Sequence, residues 1–170
     1  MQSKYKPMKK HIVFTLVLFI SILLSGCNED KKNIENNIKI FYKNYNNDFR
    51  EIENDLLTIQ LQDYLIQVKN KENLEKSIWG LQKPSKLKPN IIKEDLFLTS
   101  NSKSDSLIIA DIDIKNDTAI IAITHHNKSK KTKWNDTVEM INENGWKINN
   151  VYFDNNVNKS THKIVVKYLK

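Results

Sequence analysis

Apolar positions along the chain follow three successive rhythms. Ile12 to Leu24 is a nearly continuous apolar run of 13 residues. From Ile34 the spacing becomes helical. Ile34, Ile38, Phe41, Tyr42 and Tyr45 fall on one face, which predicts an amphipathic helix of about three turns that Asn46-Asn47-Asp48 ends. Leu57, Leu61, Leu65 and Val68 form a second stripe with Tyr64 beside it. Leu74 and Ile78-Trp79 predict a third, short helix with these side chains turned inward and Gly80 as its stop. Pro84 and Pro89 punctuate the connector Gln82 to Asn90.

Beyond the connector the period falls from 3.6 to 2. Asp95 to Thr99 predicts a short strand. In Leu107 to Ile114, the residues Ile108, Ala110, Ile112 and Ile114 share a predicted inner face, and Asp111 and Asp113 point the other way. Lys115-Asn116-Asp117 is a tight turn before a return strand, Thr118 to Thr124. A solvated loop, Asn127 to Lys131, leads to a strand over Thr132 to Ile141. A turn at Asn142-Glu143-Asn144-Gly145 then leads to a strand over Trp146 to Phe153. The two faces lose phase through Ile148-Asn149-Asn150-Val151, which predicts a bulge. Ser160-Thr161 predicts a capped final helix, although Ile164-Val165-Val166 also suits a strand. Helices first and antiparallel strands after predict an α+β fold, with N-terminal helices packed on a curved antiparallel sheet.

The first apolar run is a different kind of element. It follows a basic start with Lys4, Lys6, Lys9 and Lys10, and it is short of the roughly 20 residues a spanning helix needs. It ends in Leu23-Leu24-Ser25-Gly26-Cys27, which resembles the lipobox of bacterial lipoproteins, where the signal is cut before a cysteine that carries lipid. The resemblance divides the chain into a lipoprotein signal peptide (1–26), a lipidated Cys27 with a polar tether to Asn33, and a single domain over 34–170. It implies an acylated, palmitate-type anchor on the periplasmic side of the cell envelope. Asn28 rather than aspartate after the cysteine implies the outer membrane where a cell has two.

Charge and cysteine usage narrow the classes. The net charge is +7, but four lysines and no acid precede Cys27, so the remainder carries 23 basic against 20 acidic residues, or +3. That balance, with Arg50 the only arginine, argues against a nucleic-acid surface. Cys27 is the only cysteine, so an internal disulfide and a cysteine metal cluster are excluded.

A second resemblance lies in the last hairpin. Trp134-x-Asp136-x-Val138-x-Met140, the Asn144-Gly145 turn and Trp146-Lys147-Ile148-x-x-Val151 resemble the final hairpin of cystatin-like cone domains, the nuclear-transport-factor-like and ketosteroid-isomerase-like superfamily. With Phe41-Tyr42-x-x-Tyr45 and Pro89 to Ser100, the chain is similar to a domain-of-unknown-function family of small envelope lipoproteins. Related sequences often carry acids after Trp-Lys-Ile, where this chain has Asn149 and Asn150. The resemblance implies a fold and a location, and no activity.

Candidate chemistry is sparse. His125-His126 are adjacent on a strand and so point to opposite faces, a poor chelate even with Asp111 and Asp113 nearby. Asp111, Asp113, Asp136 and His125 are the groups available to a ketosteroid-isomerase-like enzyme, but no motif assigns them acid and base roles, and we expect no enzyme, metal or cofactor. Tyr64, Trp79, Trp134, Lys130 and Lys131 are the candidate contacts for a ligand or partner. Lys128 to Lys131, with Lys133, is the candidate contact for headgroups or peptidoglycan. The expected function is a lipid-anchored envelope protein that binds another envelope protein or a cell-wall component, an immunity-type protein being one form. The alternatives are a carrier or sensor of a small apolar ligand, and a cryptic enzyme.

Overall fold

The computed structural model describes residues 28–52, 55–81, 89–100 and 104–170. The expected signal run, Cys27 and most of the proline-punctuated connector lie outside them. The described chain is α+β, with three helices and a four-stranded antiparallel sheet in the order β1-β2-β3-β4. Helix α1 covers residues 28–44. A short 3-10 turn follows at Phe49–Glu51, capped by Asp48, whose Oδ1 accepts the Arg50 N–H at 2.9 Å. Helix α2 is Ile59–Leu81. The strands are β1 (Ser106–Lys115), β2 (Thr118–Asn127), β3 (Thr132–Asn142) and β4 (Trp146–Phe153), and α3 is Thr161–Leu169.

The core sits between the helices and one face of the sheet. Ile34, Ile38, Phe41, Tyr42 and Tyr45 are all buried, as their spacing predicts. Full burial of an aliphatic side chain stabilises by about 1.5–3 kcal/mol, so the fully buried Ile34 and Ile38 contribute substantially to holding α1 in the core. Inward positions alternate along β2 as Ala119, Ile121, Ile123 and His125, and along β3 as Trp134, Asp136, Val138 and Met140. The bulge expected in β4 is present. Glu139 pairs with Asn150 and Met140 with Ile148, which leaves Asn149 as the extra residue. That extra residue brings Trp146, Ile148, Val151 and Phe153 to one face despite their uneven spacing. Positive φ at Asn116 (55°), and at Asn144 (56°) and Gly145 (122°), turns the two hairpins.

Six expectations are corrected. Residues 28–33 are not a tether but the first turns of α1, and Asp30 Oδ1 accepts the Trp146 indole N–H at 2.9 Å. The second and third helices are one, because the buried stripe Leu61, Leu65, Val68 continues at Glu72, a charged position that apolar spacing does not reveal. Past it α2 overhangs the body, passing through Gly80, so Leu74, Ile78 and Trp79 are exposed rather than inward. Asp95 to Thr99 is a turn, not a strand. Asp95 Oδ1 accepts the N–H groups of Phe97 and Leu98 at 2.8 and 3.0 Å, and Leu96, Phe97 and Leu98 all enter the core. In β1 the register slips between Ile109 and Asp111, so Ile108 and Ala110 face out while Ile112 and Ile114 keep the inner face. β2 also runs on through His125 and His126 to Asn127.

Beside β4, residues 56–58 add a short parallel bridge. Leu57 faces Ile148, the Thr58 N–H donates to Ile148 O at 2.9 Å, and the Ile148 N–H donates to Leu56 O at 2.8 Å. Asn149 and Asn150 extend these ties. Asn149 Oδ1 accepts the Thr58 hydroxyl at 3.1 Å, and Asn150 Oδ1 accepts the His162 N–H at 3.1 Å. The asparagines after Trp-Lys-Ile thus join the sheet to the start of α2 and to α3.

Candidate functional site

The structure separates some of the sequence candidates and gathers others. Asp111 and Asp113 lie exposed on β1, opposite Ala122 and Ile120, away from His125, which pairs with Leu107 and Trp134. Among the described residues no three His, Cys, Asp or Glu side chains are placed to hold a metal ion. His125 and His126 do take opposite faces, the first fully buried and the second partly exposed.

What comes together instead is an internal polar cluster. His125 and Asp136 occupy neighbouring inward positions on β2 and β3, both 0% exposed, with Nε2 of the ring 3.6 Å from Oδ2 of the carboxyl. That separation is beyond hydrogen-bond range, and neither ring nitrogen of His125 has a hydrogen-bond partner. Asp136 is held by the segment that precedes β1 and by the end of β4. It accepts the Thr99 hydroxyl, the Thr99 N–H at 3.2 Å and the Asp154 N–H at 3.2 Å. Around His125, the Trp134 ring stacks at 5.2 Å and the Tyr42 ring meets it edge-on at 4.8 Å. Tyr42 donates its hydroxyl to Phe97 O at 3.1 Å, and Tyr45 donates to Asp95 Oδ1 at 2.7 Å.

Burial sets the electrostatics of this cluster. Loss of water pushes the His125 ring down to about 4, helped by His126, so the imidazole is neutral near pH 7. The same loss pushes the Asp95 carboxyl up to about 6 and raises Asp136. Both tyrosines are raised, first by burial and then by the nearby carboxyls. His125 and Asp136 are fully buried, and Asp136 joins the 95–99 turn to the sheet through its bonds to Thr99.

The expected contact residues divide the same way. Trp134 is 8% exposed and faces inward on His125. Tyr64 is half-buried, edge-on to His162 at 5.6 Å. Trp79 is 43% exposed on the overhanging part of α2. Lys130 and Lys131 are exposed in the β2–β3 turn, where Asn127 Oδ1 accepts the Lys130 backbone N–H at 2.7 Å. That turn is at the opposite end of the sheet from Trp146. The ten residues of β2 put about 30 Å between the two ends.

Asp136 as an inward residue was readable from its phase with Trp134, Val138 and Met140, and His125 from its phase with Ala119, Ile121 and Ile123. Asp95 and Thr99 carried no comparable signal, since a turn folded into a core has no period. No family model, curated protein or solved structure matches this chain.

Proposed function

We propose that this is a lipid-anchored protein of the bacterial cell envelope, facing the periplasm, whose body is a cystatin-like cone that acts by binding another envelope protein or a cell-wall component. An immunity-type plug for a delivered toxin is its specific form. The observation that carries the reading is that α1 is already formed at Asn28, the residue after the lipobox cysteine, and is fixed to the sheet by Asp30 and Ile34. An anchor on Cys27 would then hold the body close to the bilayer by its Trp146 end. The lysine turn 128–131, at the other end of the sheet, would point away from the bilayer. The exposed apolar end of α2, with Leu74, Ile78 and Trp79, supports a binding role, because exposed apolar groups gathered on one segment mark contact surfaces.

The test is recovery of the full lipidated chain from detergent-solubilised envelopes after crosslinking. The reading predicts one stoichiometric partner, lost with Trp79→Ala or with charge reversal on the lysine-rich face. Repeated recovery of the chain alone contradicts it.

A further inference from the structure

An open groove of about 830 Å³ runs between α3 and the 90–94 segment, with α2 closing one end. Six lysines from separate parts of the fold line it: Lys71 from α2, Lys93 from the segment before β1, and Lys159, Lys163, Lys167 and Lys170 along α3 and its start. One acid, Glu94, is in the lining. Six lysines against one glutamate give the groove +5, whereas the whole chain from Cys27 onward is +3, so the rest of that chain is −2. Among the described residues none of the six lysines is in a salt bridge. Instead Lys71 Nζ donates to Tyr168 O at 2.6 Å, and Lys163 Nζ to Asn158 Oδ1 at 3.3 Å. Lys163 and Lys167 stand four apart on one helix face, where like charges repel.

The groove is also a built surface. The wall that carries Lys93 is clamped by an internal fork. Arg50 donates two bonds to the Glu72 carboxylate, at 2.7 and 2.6 Å, and a third to Ile92 O at 2.9 Å. Glu72 Oε1 in turn accepts the Ile92 N–H at 2.9 Å. Across the gap, Tyr168 donates its hydroxyl to Asn90 O at 2.8 Å. The lining is not only charged, since Ile91, Ile164 and Tyr168 contribute apolar surface. Ile78, seven residues beyond Lys71 on the same face of α2, continues that wall with an exposed aliphatic side chain.

We propose that this groove is the partner site, and that its occupant is an acidic polypeptide segment with interspersed apolar side chains. This rests on the binding function proposed above and names the chemistry of the partner. Concentrated, unpaired positive charge selects an anionic occupant and speeds its encounter. The concave shape excludes a flat bilayer. The apolar lining favours a polypeptide, which carries apolar side chains to meet it, over a phosphate polymer, which carries none.

The probe is a fluorescein-labelled peptide alternating glutamate and leucine, titrated by anisotropy against the full lipidated chain in non-ionic detergent. Variants are measured in the same detergent. Saturable binding is expected. The pair Lys163→Glu and Lys167→Glu should weaken it about tenfold, while Lys43→Glu and Lys115→Glu, exposed and outside the groove, should leave it unchanged. The milder pair Lys163→Gln and Lys167→Gln, which keeps good helix formers, should shift it the same way. Equal weakening by the two charge-reversed pairs, or none by the first, overturns the site. Tighter binding of inorganic polyphosphate than of the peptide overturns the polypeptide assignment. An envelope partner recovered equally by wild type and by Lys163→Glu/Lys167→Glu sinks the groove and leaves the binding function standing. Absence of any envelope partner sinks that function itself.

Discussion

The Trp146 indole N–H donates to Asp30 Oδ1 at 2.9 Å, joining residues 116 apart in sequence. Asp30 lies in the first described turn of α1, and Trp146 opens β4 on the far side of the core. The Asn37 side chain adds a second tie, donating to Trp146 O at 2.9 Å. Trp146→Phe keeps most of the buried ring and removes only the indole donor. It should cost about 1 kcal/mol and speed amide exchange over residues 28–33. Trp146→Ala removes the ring as well, and a buried aromatic deletion costs about 3–5 kcal/mol. Exchange over 28–33 unchanged in Trp146→Phe would show that the first turns of α1 hold without this bond.

Glu72 is the one charged residue in the buried stripe of α2, and it faces Arg50, whose guanidinium these bonds hold above its ordinary range. Removing one member of a buried pair leaves the other without compensation. Because the Arg50 side chain is 29% exposed, the cost of Glu72→Ala is discounted from the buried-pair range to about 2–3 kcal/mol. Glu72→Gln keeps an acceptor for the Ile92 N–H and should cost less. Urea unfolding of the two variants checks the order, and the reverse order would contradict the role given to the fork.

The buried histidine gives a pH dependence with a definite sign. His125 titrates near 4 in the folded chain, below the 6.5 of a free side chain, so the unfolded chain binds more protons between those values. Its contribution is fully present above pH 6.5 and is lost as pH falls toward 4. Asp95 works the opposite way. Its folded value of about 6 exceeds the ordinary 3.8, so its contribution is present below 3.8 and is lost as pH rises through 6. The two slopes oppose each other between pH 4 and 6. The stability of wild type relative to His125→Gln should therefore drop by about 3 kcal/mol as pH is lowered from 7 to 4, a change that follows from a gap of about 2.5 pH units. A difference that stays constant over that range would mean that His125 is charged inside the fold or is open to water.

Much of the fold was legible because burial follows period. The α1 face from Ile34 to Tyr45 and the inward rows of β2 and β3 obey their spacing without exception. The failures have local causes. Glu72 broke the apolar stripe, so one long helix read as two. The slip between Ile109 and Asp111 reversed half of β1. Asn28 to Asn33 is too polar to predict a packed helix, and only the distant Trp146 explains its order. Of the sites, the enclosure of Asp136 was available from strand phase. The lysine groove was not, because its charges come from three segments that only the tertiary fold unites.

The proposed attachment at Cys27 underlies the proposed location, the mounting of the body and the partners it would reach. Cells expressing the wild type or Cys27→Ala would be fed an alkynyl palmitate analogue, and the purified chains compared for label at equal loading. Attachment predicts strong label on the wild type and none on Cys27→Ala. Equal label on both chains, or label on neither, would contradict it.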